Sequence, residues 1–312
     1  MSNSLHRVSL PFAMAAGLLL AMVSSPAISQ EVDWTKISLK VSPIAGRVVM
    51  IDGTGGFAGG NIAVLAGPDG IVLVDAMFAP LSPKVLATLQ SVSAQPVKYI
   101  INTHVHGDHT DGNAVLGKGA IVIAHANTRQ QLSASGPGPD DKPAPAAAWP
   151  VITIKHGLSL HHGDEEIELT HFPQAHSDTD VVVYFKQSKV VHMGDIYLSG
   201  MFPYFSEGGS VKGLIASIEN VLQKVPADAR IIPGHGPVTG TSELRATLQM
   251  IRETSAIVEK GIRQKKTLAQ MSKANVLARY DKWAAGYLNA DQYLGQLYKI
   301  LRPSARTAQG RG

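Results

Sequence analysis

Short apolar runs separated by glycine, proline and asparagine fill the chain from Val41 onward, and helical periodicity takes over near its end. Residues 48–51, 62–65 and 71–74 read as strands, and Gly67-Pro68-Asp69-Gly70 between the last two is a strong hairpin signal. Ser82-Pro83 predicts a helix to about residue 93, with Ser82 as the cap and Pro83 in the first turn. Next comes Val97-Lys98-Tyr99-Ile100-Ile101, a short buried strand bounded by Pro96 and Asn102. A strand at 120–123, a short helix from about Asn127, and a long loop over 133–150 dense in Pro, Gly and Ala follow.

The second half repeats this layout. Strands are predicted at 151–154, 167–170, 181–185 and 189–193, then a helix from a Ser210 cap to about residue 225, with Leu214, Ile218 and Val221 on one face. Ile231-Ile232 leads into the turn Pro233-Gly234-His235-Gly236. Two long helical stretches, roughly 242–264 and 267–301, close the chain. This order predicts an α/β fold, two mostly antiparallel sheets in a sandwich with helices on both outer faces.

The N-terminus changes the picture of where the protein works. A weakly positive start (His6, Arg7) precedes an apolar run from Leu10 to Val23 and then small residues. This is the layout of a secretory signal peptide over residues 1–29, with Ala27 and Ser29 before the cut. Pro11 interrupts the run, which is too short for a comfortable membrane span. The expectation is a periplasmic or secreted protein without stable membrane insertion after cleavage, an uncleaved anchor being the competing reading.

A net charge of +4, with no Lys/Arg cluster flanked by aromatics, argues against nucleic acid and leaves a small-molecule substrate. The chain has no cysteine. Any metal must therefore be held by histidine and carboxylate.

Such a metal is what the strand at 97–101 announces. It runs into Thr103-His104-Val105-His106-Gly107-Asp108-His109-Thr110, three imidazoles and a carboxylate within six residues. Borderline divalent metals take this mixture, Zn2+ first among them. Alternate residues of an extended segment point the same way, so His104 and His106 can share one metal. Asp108 and His109, past the bend, can face a second. A lone strand histidine is ordinarily packed or on the surface, but with 12 His in 312 residues this spacing arises by chance in roughly one chain in a thousand.

Three more polar residues lie at strand ends or in tight loops: His176, Asp195 and His235. Each alone is unremarkable, yet they recur where the loops of a sandwich converge. His125, His156, His161, His162, His171 and His192 lack clustered spacing and read as core or surface residues, His192 supporting the site or the core. Asp75, ending its strand, reads as a carboxylate that buttresses a nearby loop, with ligation as the alternative. The glycine-rich stretch 52–60 is followed by no helix pattern or phosphate-binding lysine, and reads as a mobile flap with Phe57 at its tip.

On these residues the chain resembles the metallo-β-lactamase superfamily over about residues 41–240, with all its ligand segments in order. The resemblance implies an αβ/βα four-layer sandwich and a catalytic domain over 30–240; the apolar stripes of the closing helices read as an extension over 241–312 packed on the same domain, and the basic tail (Arg302, Arg306, Arg311) as a frayed end. It implies two zinc ions per chain, the first on His104, His106 and His176, the second on Asp108, His109 and His235, with Asp195 bridging both as in glyoxalase II-like branches. Asp108 would also be catalytic, orienting the attacking water and passing on its proton.

The antibiotic-hydrolysing branches carry a cysteine or a non-ligand where this chain has Asp195, which leaves β-lactam cleavage as a side activity. Tyr197, Met201, Phe202, Tyr204 and Phe205, with Phe57, offer an aromatic wall suited to a small ester, lactone, thioester or lactam, although a core role serves some of them equally. The basic clamp expected for a glutathione thioester is not evident. An iron-dependent oxygenase or redox enzyme on the same fold, and a non-catalytic zinc-binding accessory protein, are the competing functions.

Overall fold

The structure is a computed structural model that describes residues 32–134, 142–206 and 208–302. The predicted signal peptide, and Arg306 and Arg311 of the basic tail, lie outside the described residues.

The first sheet has seven strands in sequence order. β1 (Ser38–Ala45), β2 (Val48–Thr54), β3 (Ile62–Gly67) and β4 (Gly70–Val74) form an antiparallel meander, Gly67 pairing with Gly70 around the predicted hairpin turn. Beyond β4 the pairing becomes parallel. Helix α1 (Ser82–Val92) crosses to β5 (Val97–Ile101), α2 (Gly107–Thr110) and α3 (Asn113–Leu116) to β6 (Ile121–His125), and α4 (Ala126–Ser133) precedes β7 (Ile152–Ile154). A parallel neighbour needs such a crossover, so this sheet is mixed.

The second sheet is mostly antiparallel. It comprises β8 (Gly157–His162), β9 (Glu165–His171), β10 (Val181–Phe185), β11 (Val190–His192), β12 (Arg230–Ile232) and β13 (Thr239–Gly240), in the order β13-β12-β11-β10-β9-β8. Only β11 and β12 pair in parallel, because α5 (Val211–Lys224) lies between them.

Period-two alternation in buried strands builds three apolar layers. Val72 and Val74 of β4 meet Val181, Val183 and Phe185 of β10 between the sheets. Ile71 and Leu73 turn the other way, onto Val85 and Leu89 of α1. Val182, Val191 and Ile231 on the far face of the second sheet pack on Leu214 and Ile218 of α5. Three cores separate four layers. Each fully buried aliphatic side chain contributes about 1.5–3 kcal/mol.

Three local expectations need correction. Ser82 is the first residue of α1 and not its cap: the chain enters already helical at Leu81 from a 3-10 turn, and the buried Ser82 hydroxyl makes no hydrogen bond. Strand β8 escapes an apolar-run reading, because Gly157, Ser159 and His161 alternate outward.

The third concerns the helix expected over 267–301. After α6 (Thr241–Arg263) the chain forms α7 (Leu268–Lys273), a 3-10 stretch and α8 (Ala290–Leu301). Thr267 and Asn289 each open a helix with a capping box, to Gln270 and Gln292, and these local signals override the continuous apolar stripe. Tyr293, Leu294 and Leu297 of α8 join the core over α5 and α6. Among the described residues no helix is long and apolar enough to cross a membrane.

Candidate metal centre

The seven residues singled out in the sequence meet at one edge of the sandwich. His104 and His106 follow β5, and the turn into α2 presents Asp108 and His109. His176 comes from the loop between β9 and β10, Asp195 from the 3-10 turn after β11, and His235 from the turn after β12. They form two groups, His104, His106, His176 and Asp195, and Asp108, His109 and His235.

In the first group His106 Nδ1 lies 3.1 Å from His104 Nε2 and 3.2 Å from His176 Nε2. In the second, His235 Nε2 lies 3.3 Å from His109 Nε2 and 3.2 Å from Asp108 Oδ2. Asp195 spans both. Its Oδ2 is 3.9 Å from His104 Nε2 and 3.8 Å from His176 Nε2, while its Oδ1 is 3.3 Å from His109 Nε2 and 3.4 Å from His235 Nε2.

The outward partners of the rings fix what the inner nitrogens offer. His104 Nδ1 is 3.0 Å from Thr103 Oγ1, whose own proton goes to Asp75 Oδ2. His106 Nε2 pairs with Ser206 Oγ, His176 Nδ1 with the Tyr204 carbonyl, and His109 Nδ1 with Asp75 Oδ2. With protons placed outward, the inner nitrogens are lone pairs. Three lone pairs at this separation repel unless a cation lies among them. Two nitrogens on one tetrahedral zinc stand about 3.3 Å apart, so the spacing suits such an ion. Asp195 Oδ1, buried and without a hydrogen bond of normal geometry, is a further donor awaiting a partner. The residues fit a pair of borderline divalent cations.

The electrostatics agree. Burial, reinforced by neighbouring imidazoles, pushes His104 well below the usual histidine value and His106 down to about 4, so both rings stay neutral. Burial works against charge at His109 and His235 too. There Asp108, Asp75 and Asp195 outweigh it at His109, and Asp195 and Asp108 outweigh it at His235, which rises to about 9. The carboxylates around the second group, Asp108, Asp75 and Asp195, thus call for positive charge.

The supporting shell corrects and extends the sequence reading. Asp75 is the expected buttress: it also accepts from the Thr103 backbone N–H at 2.7 Å. His192 is buried, its Nδ1 accepting from Gly194 N–H and its Nε2 donating to the Asn61 carbonyl. The glycine-rich loop runs against the site, since a Cβ on Gly60 would sit 2.1 Å from the His109 ring. Of the expected aromatic wall, Tyr197, Phe202 and Phe205 are core residues. Phe202 stacks on Tyr293 of α8 at 4.4 Å, Phe205 N–H donates to Gln296 of the same helix, and the Tyr197 hydroxyl pairs with Thr239 of β13. Phe57, Met201 and Tyr204 remain at the cleft.

Sequence reasoning missed three contributors. Asn61 Nδ2 donates to the carbonyls of Pro233 and Gly236, clamping the turn that carries His235. Ser206 holds His106, and Tyr287 lies over His235. A lone polar residue at the start of a strand and a Gly-Tyr pair were their only signals.

The profile of the metallo-β-lactamase superfamily matches residues 55–235, more than half of the chain. The chain belongs to the metallo-β-lactamase superfamily. It is, with that superfamily, a metal-dependent hydrolase. A metallo-β-lactamase type 2 of Bacillus cereus is 24% identical over 195 residues, covering 62% of this chain and 73% of its own. The cytoplasmic hydroxyacylglutathione hydrolase of Saccharomyces cerevisiae is 28% identical over 163 residues, 49% of this chain and 55% of its own. The solved metallo-β-lactamase of Pontibacter korlensis superposes with a TM-score of 0.57 at 22% identity, over 69% of this chain and 99% of its own, and shares the fold. The superfamily match ends at His235, so Tyr287 and helices α6–α8 lie beyond it.

Proposed function

We propose that the protein is an exported dinuclear zinc hydrolase that cleaves an ester, lactone, thioester or lactam bond in a small molecule, with β-lactams as side substrates. The observation that carries this reading is Asp195, whose two carboxylate oxygens address the two histidine groups separately. In this assignment His104, His106 and His176 would hold the first zinc and Asp108, His109 and His235 the second, with Asp195 a ligand available to both. When bound, a zinc pair supplies a water activated at neutral pH and electrostatic stabilisation of negative charge.

The chain's own groups do the rest. Asp108 Oδ2 lies within the centre, 3.2 Å from His235 Nε2, on a side chain 16% exposed, where it orients the attacking water and accepts its proton. The water oxygen adds to the acyl carbon. The acyl–heteroatom bond then breaks, the heteroatom taking up a proton as it leaves. Outward hydrogen bonds from the imidazoles to Thr103, Ser206, Tyr204 and Asp75 hold the rings in place throughout. The names of the bacterial and yeast relatives, a metallo-β-lactamase and a hydroxyacylglutathione hydrolase, support acyl transfer to water.

Elemental analysis of the mature protein purified without chelator, beside an ester, lactone, thioester and β-lactam panel, tests the reading. Two equivalents of zinc and chelator-sensitive turnover are expected. One equivalent of iron with no hydrolysis on the panel sinks it. The export proposal rests on the N-terminal pattern alone, and mass analysis of the periplasmic or secreted form should find a chain beginning at Gln30.

A further inference from the structure

A cavity of about 420 Å³ opens beside His235, between the glycine-rich loop and the segment preceding α8. Phe57, Met201, Pro237 and Tyr287 give it an apolar lining, and among the described residues no Lys or Arg lines it. Its one carboxylate, Asp52, has a buried oxygen with no hydrogen-bond partner. A second cavity, of about 520 Å³, opens at His106 and is more polar, with Thr110, Asp111, Gln131 and Asp178. The two spaces begin at opposite histidine groups of the centre.

Tyr287 is held where it is by the C-terminal extension. Phe202 N–H donates to the Trp283 carbonyl at 2.8 Å, and Met201 pairs with Ala284 in an antiparallel bridge. Gly286 allows the close approach, since a Cβ there would sit 2.5 Å from Met201 Sδ. The Tyr287 ring then lies edge-to-face with His235 at 5.2 Å and with Phe57 at 5.5 Å. Both rings keep much of their surface free, Tyr287 44% and Phe57 43%. Aromatic faces left open in this way favour a flat apolar partner.

We propose that this cavity is a specificity pocket for an uncharged aromatic or alicyclic portion of the substrate, with Tyr287 and Phe57 as its contact residues. The assignment rests on the hydrolase reading above and narrows its substrate class. A group carrying carboxylates, such as a glutathionyl moiety, would meet Asp52, and Lys40, which stands opposite Asp52 on β1, does not line the cavity to offset the repulsion. The more polar cavity at His106 takes the other half of the molecule.

The test uses the zinc-loaded full chain and its Tyr287→Ala, Tyr287→Phe and Phe57→Ala variants. The esters are 2-naphthyl acetate, 6-carboxy-2-naphthyl acetate and methyl acetate, and 2-naphthalenemethanol serves as an uncharged fluorescent probe of binding. The preference for the naphthyl over the methyl ester should fall about ten-fold or more in Tyr287→Ala, mainly through KM, and return in Tyr287→Phe. Probe affinity should weaken in both alanine variants with zinc content unchanged, and wild type should handle the carboxylated ester about ten-fold less well.

The proposal is overturned if Tyr287→Ala leaves probe affinity within about two-fold of wild type, or if the added carboxylate costs nothing. Should none of the esters turn over, the probe titration decides. Loss of chelator sensitivity would remove the zinc-hydrolase reading while leaving the probe result standing, so the two can fail separately.

Discussion

His109 Nδ1 lies 2.7 Å from Asp75 Oδ2, and neither side chain is exposed. The same carboxylate accepts from the backbone and hydroxyl of Thr103, whose Oγ1 reaches His104 Nδ1. One residue therefore orients an imidazole in each group. It does so from φ +68, a backbone conformation that non-glycine residues rarely adopt and that persists only where surrounding contacts enforce it. Asp75→Asn keeps the shape and removes the charge that fixes the His109 tautomer. It should weaken the second metal by about 10–100-fold, read by competition with a chromogenic chelator. Wild-type affinity in this variant would show that Asp75 only braces the loop.

Asp195 makes a sharper demand. Because its Oδ1 and Oδ2 address different histidine groups, removing it takes a donor from both at once. Asp195→Ala should drop zinc stoichiometry from two toward one and abolish most turnover, measured by elemental analysis beside activity. Two zincs retained at full affinity would mean that the carboxylate does not bridge.

How much of this was legible beforehand depended on sequence distance. His104, His106, Asp108 and His109 are neighbours in the chain, so their shared chemistry could be read from spacing alone. His176, Asp195 and His235 were single residues at strand ends, and only their recurrence at one edge, with the family resemblance, joined them. Asn61 and Tyr287 could not be found that way. Asn61 acts on carbonyls more than 170 residues away, and Tyr287 reaches the cleft only because the helix expected over 267–301 is interrupted there. The break was written in Thr267/Gln270 and Asn289/Gln292, two capping boxes that the apolar stripe masked. The aromatic run after Asp195 misled for a related reason: composition marks such residues as apolar but not which side of a turn they take.

Gly60 tests how closely the glycine-rich loop is fitted to the centre. Its N–H donates to the Asp108 carbonyl at 3.0 Å, and an added Cβ would fall 2.1 Å from His109 Cε1. His109 has no room to yield, being fully buried and tied to Asp75. Gly60→Ala should cost about 1–3 kcal/mol of stability, as overpacked sites do, and should loosen the second metal more than the first. Chemical denaturation with metal titration reads both. An unchanged unfolding midpoint together with two tight zincs would mean that the loop moves aside freely.

Gly295 offers the opposite case. It lies inside α8, yet a Cβ at this position would meet nothing within 4 Å. Glycine within a helix costs about 0.5–1 kcal/mol relative to alanine, through the freedom it loses on folding. Gly295→Ala should therefore stabilise the chain by about that amount in a urea melt, with the slope of the transition unchanged. Its neighbours Tyr293, Leu294 and Leu297 anchor α8 in the core beneath the segment that carries Tyr287. A stiffer α8 should hold that segment at least as well, so naphthyl-ester KM should not rise. A loss of stability would mean that Gly295 is needed for close packing against a neighbour, against the open space around it.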